Sequence, residues 1–189
     1  ARSAPFTFSF IWWRKSWENG CVSTKVERNY LDIVSLKDLS EIDKPSNNFN
    51  VRLVNPTDFQ LNKFFYKQIG KKYRWVDRLA WDENQWIKYI NNSSVKTYIL
   101  KDNNNLAGYF EQIFDQKKLE CEIAYFGILQ DYVGKRLGGY LLSEAIKKSF
   151  VMSANRVWVH TCSLDHKHAL KNYLSRGMKI FKSEILNIN

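Results

Sequence analysis

Residues 123–139 read IAYFGILQDYVGKRLGG. An apolar strand, Ile123–Leu129, runs into a glycine-containing turn and from there directly into a helical pattern. The first turn of a helix carries unpaired N–H groups and a partial positive charge. Gly134, Gly138 and Gly139 allow backbone to approach a ligand closely. Lys135 and Arg136 add positive charge at the same place. Together these features suit a pyrophosphate. Glycines also serve turns and tight packing, so the stretch by itself leaves both uses open. It is neither a Walker A loop nor a dinucleotide fingerprint: Gly-Lys-Ser/Thr and the GxGxxG spacing are both missing.

Outward from this stretch the chain alternates strands and helices. Residues 134–150 form a helical pattern, with Leu137, Leu141, Leu142, Ala145, Ile146 and Phe150 on one face. A strand at Arg156–Cys162 follows, then a helix at His166–Arg176 ended by Gly177, and a last strand at Met178–Leu186. Upstream, Lys96–Lys101, Leu106–Phe114 and Leu119–Leu129 read as an antiparallel three-strand meander. Before it lie a strand at Asn50–Val54 and two helices, the first capped by Asn55 or Thr57, the second by Asp82. The order is strand, two helices, three strands, helix, strand, helix, strand, an α/β (α+β-like) fold with a mixed central sheet flanked by helices.

Residues 1–48 read as an N-terminal extension, set off by the polar stretch Lys44–Asn48, and residues 49–189 as the single main domain. Within the extension, residues 1–25 read as an irregular arm with a strand at Phe6–Trp12. The start lacks the basic region and long apolar run of a signal peptide. No apolar run reaches the ~18 residues needed to cross a bilayer.

The formal charge is +10, and residues 134–189 hold ten Lys/Arg against three Asp/Glu. A basic C-terminal third suggests an anionic partner such as a phosphate-bearing cofactor, nucleic acid or membrane surface. Lysines scattered on solvated faces give the same balance, and no nucleic-acid motif occurs, so nucleic acid and membrane are disfavoured as partners. Three widely spaced cysteines give no disulfide framework and favour a reducing, cytoplasmic setting. His160, Cys162, His166 and His168 do not make a zinc pattern: neither CxxC nor HExxH is present, and no metal is expected.

The segment Val133-Gly134-Lys135-Arg136-Leu137-Gly138 resembles the acyl-CoA-binding motif of the GNAT superfamily of N-acyltransferases, Gln/Arg-x-x-Gly-x-Gly/Ala. Val133 stands in place of Gln/Arg and Arg136 in place of the middle Gly; Gly138 fits. Further on, the helix from Ala169 to Met178 resembles the family's Ala-x-x-x-Tyr-x-x-x-Gly-Phe helix, with Met178 for Phe, and His166 stands where Asn is frequent. Residues 73–81 and 160–166 also resemble segments of bacterial members.

The resemblance implies acetyl-CoA, or another acyl-CoA, as co-substrate and transfer to a primary amine, either a small molecule or a peptide N-terminus. A homodimer is left open. The resemblance gives Gly134 to Gly139 the pyrophosphate, the backbone around Phe126 to Ile128 the thioester carbonyl, and Tyr173 the role of general acid. Glu122, on the strand before the cradle, is the candidate base, with Glu111 in reserve; the competing reading is an ordinary strand-end ion pair. By strand parity Glu122 shares a face with Ala124, Phe126 and Ile128. The aromatic run 73–81 supplies the expected acceptor wall, with Trp75 and Trp81 as cation–π faces and Asp77 as counter-charge. A non-catalytic acyl-CoA sensor of the same fold is the alternative reading.

Overall fold

The meander expected between Lys96 and Leu129 is present, and it forms the middle of a seven-stranded sheet. The computed structural model describes residues 24–188. In chain order the elements are β1 Thr24–Ile33, β2 Phe49–Leu53, α1 Phe59–Gly70, α2 Glu83–Ile90, β3 Val95–Asp102, β4 Asn105–Asp115, β5 Glu120–Ile128, α3 Leu137–Val151, β6 Arg156–Cys162, α4 Ala169–Ser175 and β7 Lys179–Ile188. The sheet order is β2-β3-β4-β5-β6-β1-β7. Neighbouring strands are antiparallel except β5 and β6, which are parallel because α3 crosses between them.

The boundary expected at residue 48 does not hold for the sheet. Thr24–Ile33 lies between β6 and β7 and pairs with both. Its alternation is weak: Asn29, Tyr30 and Leu31 are all buried in succession, so a period-2 pattern is hard to see. The expected strand at Phe6–Trp12 lies outside the described residues.

Two apolar layers hold the sheet. Leu137, Leu141, Leu142 and Ile146 of α3 pack on Leu31, Ile123, Val157 and Val159. On the opposite face α1 lays Phe65 and Ile69 on Tyr109, with the Phe65 and Tyr109 rings stacked at 4.7 Å. α1 sits close because β5 carries Gly127 there: a Cβ on it would lie 2.6 Å from Ile69 Cγ2. Helix α1 begins after Asp58, whose carboxylate accepts from the Gln60 and Leu61 amides, so the cap is neither Asn55 nor Thr57. Asp82 caps α2 as expected, in a capping box with Gln85. Trp86 is buried beneath α2.

Candidate functional site

The parallel pairing of β5 and β6 is short. It joins Glu120 to Arg156, Cys121 to Val157 and Glu122 to Trp158, and stops there, although β5 continues to Ile128 and β6 to Cys162. Beyond Glu122 the two strands diverge. The β5 backbone from Ile123 to Ile128 therefore has no strand partner on its β6 side, and a wedge opens in the middle of the sheet.

At the wide end of this wedge stands the N-terminus of α3. The helix starts at Leu137, three residues later than the pattern suggests, because Gly134 (φ 88°) and Arg136 (φ 60°) both take left-handed backbone. No side chain caps the first turn, so its amides keep their donor capacity. The glycines divide the work. Gly134 needs its conformation, with nothing within 4 Å of a Cβ there. Gly138 faces open space, the nearest atom to a Cβ being Asn172 Nδ2 at 3.6 Å. Gly139 is a packing position, since a Cβ would lie 2.6 Å from Arg176 Nη1 and 3.1 Å from Ile42 Cγ1. Lys135 is exposed and its Nζ lies 4.4 Å from the Tyr132 ring centroid; Val133 and Arg136 are exposed too. Leu137 is a core residue. An uncapped, glycine-lined helix start flanked by two cations fits a diphosphate.

Arg136 occupies the left-handed position that a glycine takes without strain. The penalty for a side chain there is about 1–2 kcal/mol, part of which glycine forfeits through its greater unfolded-state entropy, about 0.5–1 kcal/mol. Arg136→Gly is therefore expected to raise the melting temperature by about 1–4 °C, measured by calorimetry. A fall would mean that the arginine side chain contributes more than its backbone costs.

Across the wedge from β5, helix α4 presents Tyr173. It is buried, and its ring meets Phe126 of β5 edge-on at 6.2 Å. Burial, with Asp165 adding to it, pushes the phenol well above its usual range. Tyr173 is thus a protonated donor at neutral pH. Ile128 lines the same side as Phe126, packed against the α3 core.

Glu122 points the other way. Glu111 pairs with Tyr125 while Gln112 pairs with Ile123, so Ala124 is an extra residue in β5. This bulge reverses the side-chain alternation. Glu122 and Tyr125 share the face covered by α1 and α2, whereas Phe126 and Ile128 lie on the α3 face. The expected shared face of Glu122 with Phe126 and Ile128 is therefore wrong, and a bulge is invisible to a count by twos. Burial pushes the Glu122 carboxyl up to about 7, with Arg78 pulling in the opposite direction. Glu111, the reserve candidate, has no exposure at all and is committed to Asn62, Arg78 and Tyr89.

The loop between α1 and α2 forms the wall over Tyr125. The Trp75 ring lies 4.9 Å from that of Tyr125 and 5.7 Å from that of Tyr66. Asp77 is 45% exposed; its two oxygens accept from the Tyr66 and Tyr125 hydroxyls at 2.9 and 2.5 Å. Trp81 packs on Trp86 and Tyr89, and the Arg78 guanidinium lies between its ring and that of Tyr125. Tyr73 of the same loop meets His166, in the turn after β6, at 6.3 Å, so the two walls of the wedge touch. Burial, His168 and Lys167 lower the His166 pKa. Sequence reasoning does not single out Tyr66 or Tyr125 for this site, and it marks Arg78 only as one of two arginines, with Arg74, that flank Asp77 in a run dense in aromatic rings. Among the described residues no group of three or more His, Cys, Asp or Glu side chains gathers as for a metal ion, and no helix is long and apolar enough to cross a membrane.

The family description Acetyltransferase (GNAT) family matches residues 59–178, more than half of the chain. The chain belongs to the GNAT acetyltransferase family. No curated protein matches it. Its fold is similar to that of a GCN5-related N-acetyltransferase from Sphaerobacter thermophilus, with a TM-score of 0.68 at 13% identity over 87% of this chain and 52% of that one. A GCN5-related N-acetyltransferase from Kribbella flavida gives 0.62 at 16% identity, over 88% of this chain and 60% of that one. The chain thus spans little more than half the length of these two. Spermidine N-acetyltransferase from Vibrio cholerae, in complex with CoA and spermine, gives 0.58 at 14% identity over 75% of this chain and 96% of that one.

Proposed function

We propose that this chain is an acyl-CoA-dependent N-acetyltransferase that acts on a primary amine by direct transfer. The observation that carries the reading is the coincidence, at one wedge in the sheet, of an uncapped helix start, an unpaired stretch of β5 and a buried, protonated tyrosine. Family membership supports it.

In this reading the α3 amides from Leu137 to Tyr140 hold the pyrophosphate, with Gly138 leaving room for it and Lys135 and Arg136 near its oxygens. When bound, acetyl-CoA supplies an already activated thioester. An unpaired amide between Phe126 and Ile128 donates to its carbonyl oxygen. Glu122 takes the proton from the incoming ammonium, directly or through water. Tyr173 gives its phenolic proton to the departing sulfur. Orientation of two reactants accounts for most of the rate.

The roles of base and acid follow from opposite faces: Glu122 lies on the α1/α2 side, where the Trp75–Asp77 wall would receive the amine, and Tyr173 on the α3 side, with the cradle. Because burial holds the Glu122 carboxyl near 7, its basic form grows in as pH rises through that value. The kcat/KM profile for the amine is therefore expected to rise with an apparent pKa near 7, and Glu122→Gln should abolish that acid limb while lowering kcat. A limb that survives in Glu122→Gln assigns the base elsewhere.

The test of the reading as a whole is mass spectrometry for co-purifying CoA, followed by turnover of acetyl-CoA against a panel of small amines and peptide N-termini. Turnover supports it; CoA bound tightly with no turnover on any amine indicates an acyl-CoA sensor.

A further inference from the structure

The loop of residues 71–82 inverts the usual burial pattern. Its aliphatic residues Val76 and Leu79 are 45% and 55% exposed, while Arg78, the second of its two arginines, is 5% exposed; Arg74 stays at the surface. The guanidinium carbon lies 3.9 Å from the Tyr89 ring centroid and 4.1 Å from that of Tyr125, with Trp81, Trp86 and Tyr66 completing a cage at 4.8 to 5.9 Å. Glu111 closes it, its Oε2 accepting from Arg78 Nη1 and from the Tyr89 hydroxyl, both at 2.8 Å, while Asp77 Oδ2 lies 3.9 Å from Arg78 Nε at the rim. This is the chemistry of an organic-cation receptor, and the chain fills it with its own side chain.

The loop's backbone-to-backbone hydrogen bonds are local turns: Lys71 to Lys67, Lys72 to Ile69, Tyr73 and Trp75 to Gly70, Leu79 to Val76, Trp81 to Arg78. Its ties to the rest of the fold are therefore made by side chains. Lys72 reaches Gln130 on the exposed surface. Asp77 takes the Tyr66 and Tyr125 hydroxyls. Arg78 alone among these enters the interior, and its amide also donates to the Tyr66 hydroxyl at 2.9 Å. That hydroxyl in turn donates to Asp77, so the arginine and the aspartate are set by one tyrosine.

We infer that Arg78 is a positioning residue: as permanent occupant of a cation cage closed by Glu111, it pins the 71–82 loop to the sheet and so holds the Asp77 carboxylate over β5. The catalytic part of this inference rests on the proposed reading of the loop as the acceptor wall. With its fork turned inward to Glu111, Arg78 is not presented to a carboxylate on the acceptor. A lysine would not substitute, since a compact ammonium cannot both stack between two rings and reach Glu111 through a planar fork.

The experiment is Arg78→Gly in the full chain, examined with and without ~20 mM guanidinium chloride against equal sodium chloride, a concentration far below the molar range that unfolds proteins. Removal of one partner of a buried pair should lower the melting temperature by on the order of 10 °C. Guanidinium, but not sodium, should restore part of it and should slow amide hydrogen exchange across residues 71–82, while leaving the wild type unchanged. The KM for the amine should rise about tenfold or more, with CoA affinity unaltered, because loop displacement of an ångström is costly to orientation.

If Arg78→Gly does not fold, Arg78→Gly/Glu111→Gln removes the stranded carboxylate. That double variant should fold, exchange quickly across 71–82 and show no response to guanidinium. The inference is overturned by a folded variant with wild-type exchange in the loop, or with no response specific to guanidinium. A wild-type chain that neither binds CoA nor acetylates any amine overturns the enzymatic reading instead, and the exchange and melting measurements still decide the cage.

Discussion

CoA binding is expected to be lost in Gly138→Asp while the fold persists. The new side chain has room, since the only atom within 4 Å of a Cβ at this position is Asn172 Nδ2 at 3.6 Å. Asn172 also donates to the Gly138 carbonyl, a contact that does not involve the replaced hydrogen. An aspartate in the first turn of α3 suits the helix dipole, so stability is expected to hold or to rise slightly. The same carboxylate would stand against the phosphates. Two unit charges about 4 Å apart at an effective dielectric near 20 repel by about 4 kcal/mol. That is a loss of roughly 10³-fold in affinity, readable by calorimetric titration with CoA. Undiminished affinity in a folded Gly138→Asp protein would place the diphosphate away from α3.

Turnover in Tyr173→Phe is expected to fall by about 10²-fold or more. The ring, its edge-on contact with Phe126 and its place in the core are kept. Only the hydroxyl goes, and burial holds that hydroxyl protonated through the physiological range. The expected signature is a drop in kcat with CoA affinity unchanged, because Tyr173 sits on α4 and the cradle on α3. Near-wild-type kcat would mean that water or another group protonates the leaving sulfur.

The sequence carried the fold where the hydrophobic pattern was strong. The β3–β4–β5 meander, α3 and β6 are legible because their apolar residues repeat with a clear period, and Asp82 announces α2 by its capping box. Two features were not legible. Strand β1 buries three consecutive residues, Asn29 to Leu31, because it is an interior strand whose two faces are both covered near its centre, so no alternation marks it. The bulge at Ala124 depends on the pairing of β5 with β4, a property of two strands that neither stretch reveals alone. It decides on which face Glu122 emerges. The aromatic composition of the run 73–81 suggests a wall awaiting a cation; what composition cannot show is that Arg78, inside the same run, turns inward and fills the cage itself.

The glycines tell a similar story at closer range. A string of Gly134, Gly138 and Gly139 suggests three equivalent contributions to a cradle. The structure separates them into a left-handed backbone position, an open approach and a helix-packing contact with Arg176 and Ile42. Arg136 takes the left-handed position for which glycine is the unstrained choice.

The most direct test is a crystal structure of the full chain with CoA. The account predicts the pyrophosphate on the amides that begin α3, the pantetheine arm in the wedge where β5 and β6 part beyond Glu122 and Trp158, and the sulfur within reach of the Tyr173 hydroxyl. Phosphates bound elsewhere, or a sulfur distant from Tyr173, would contradict it.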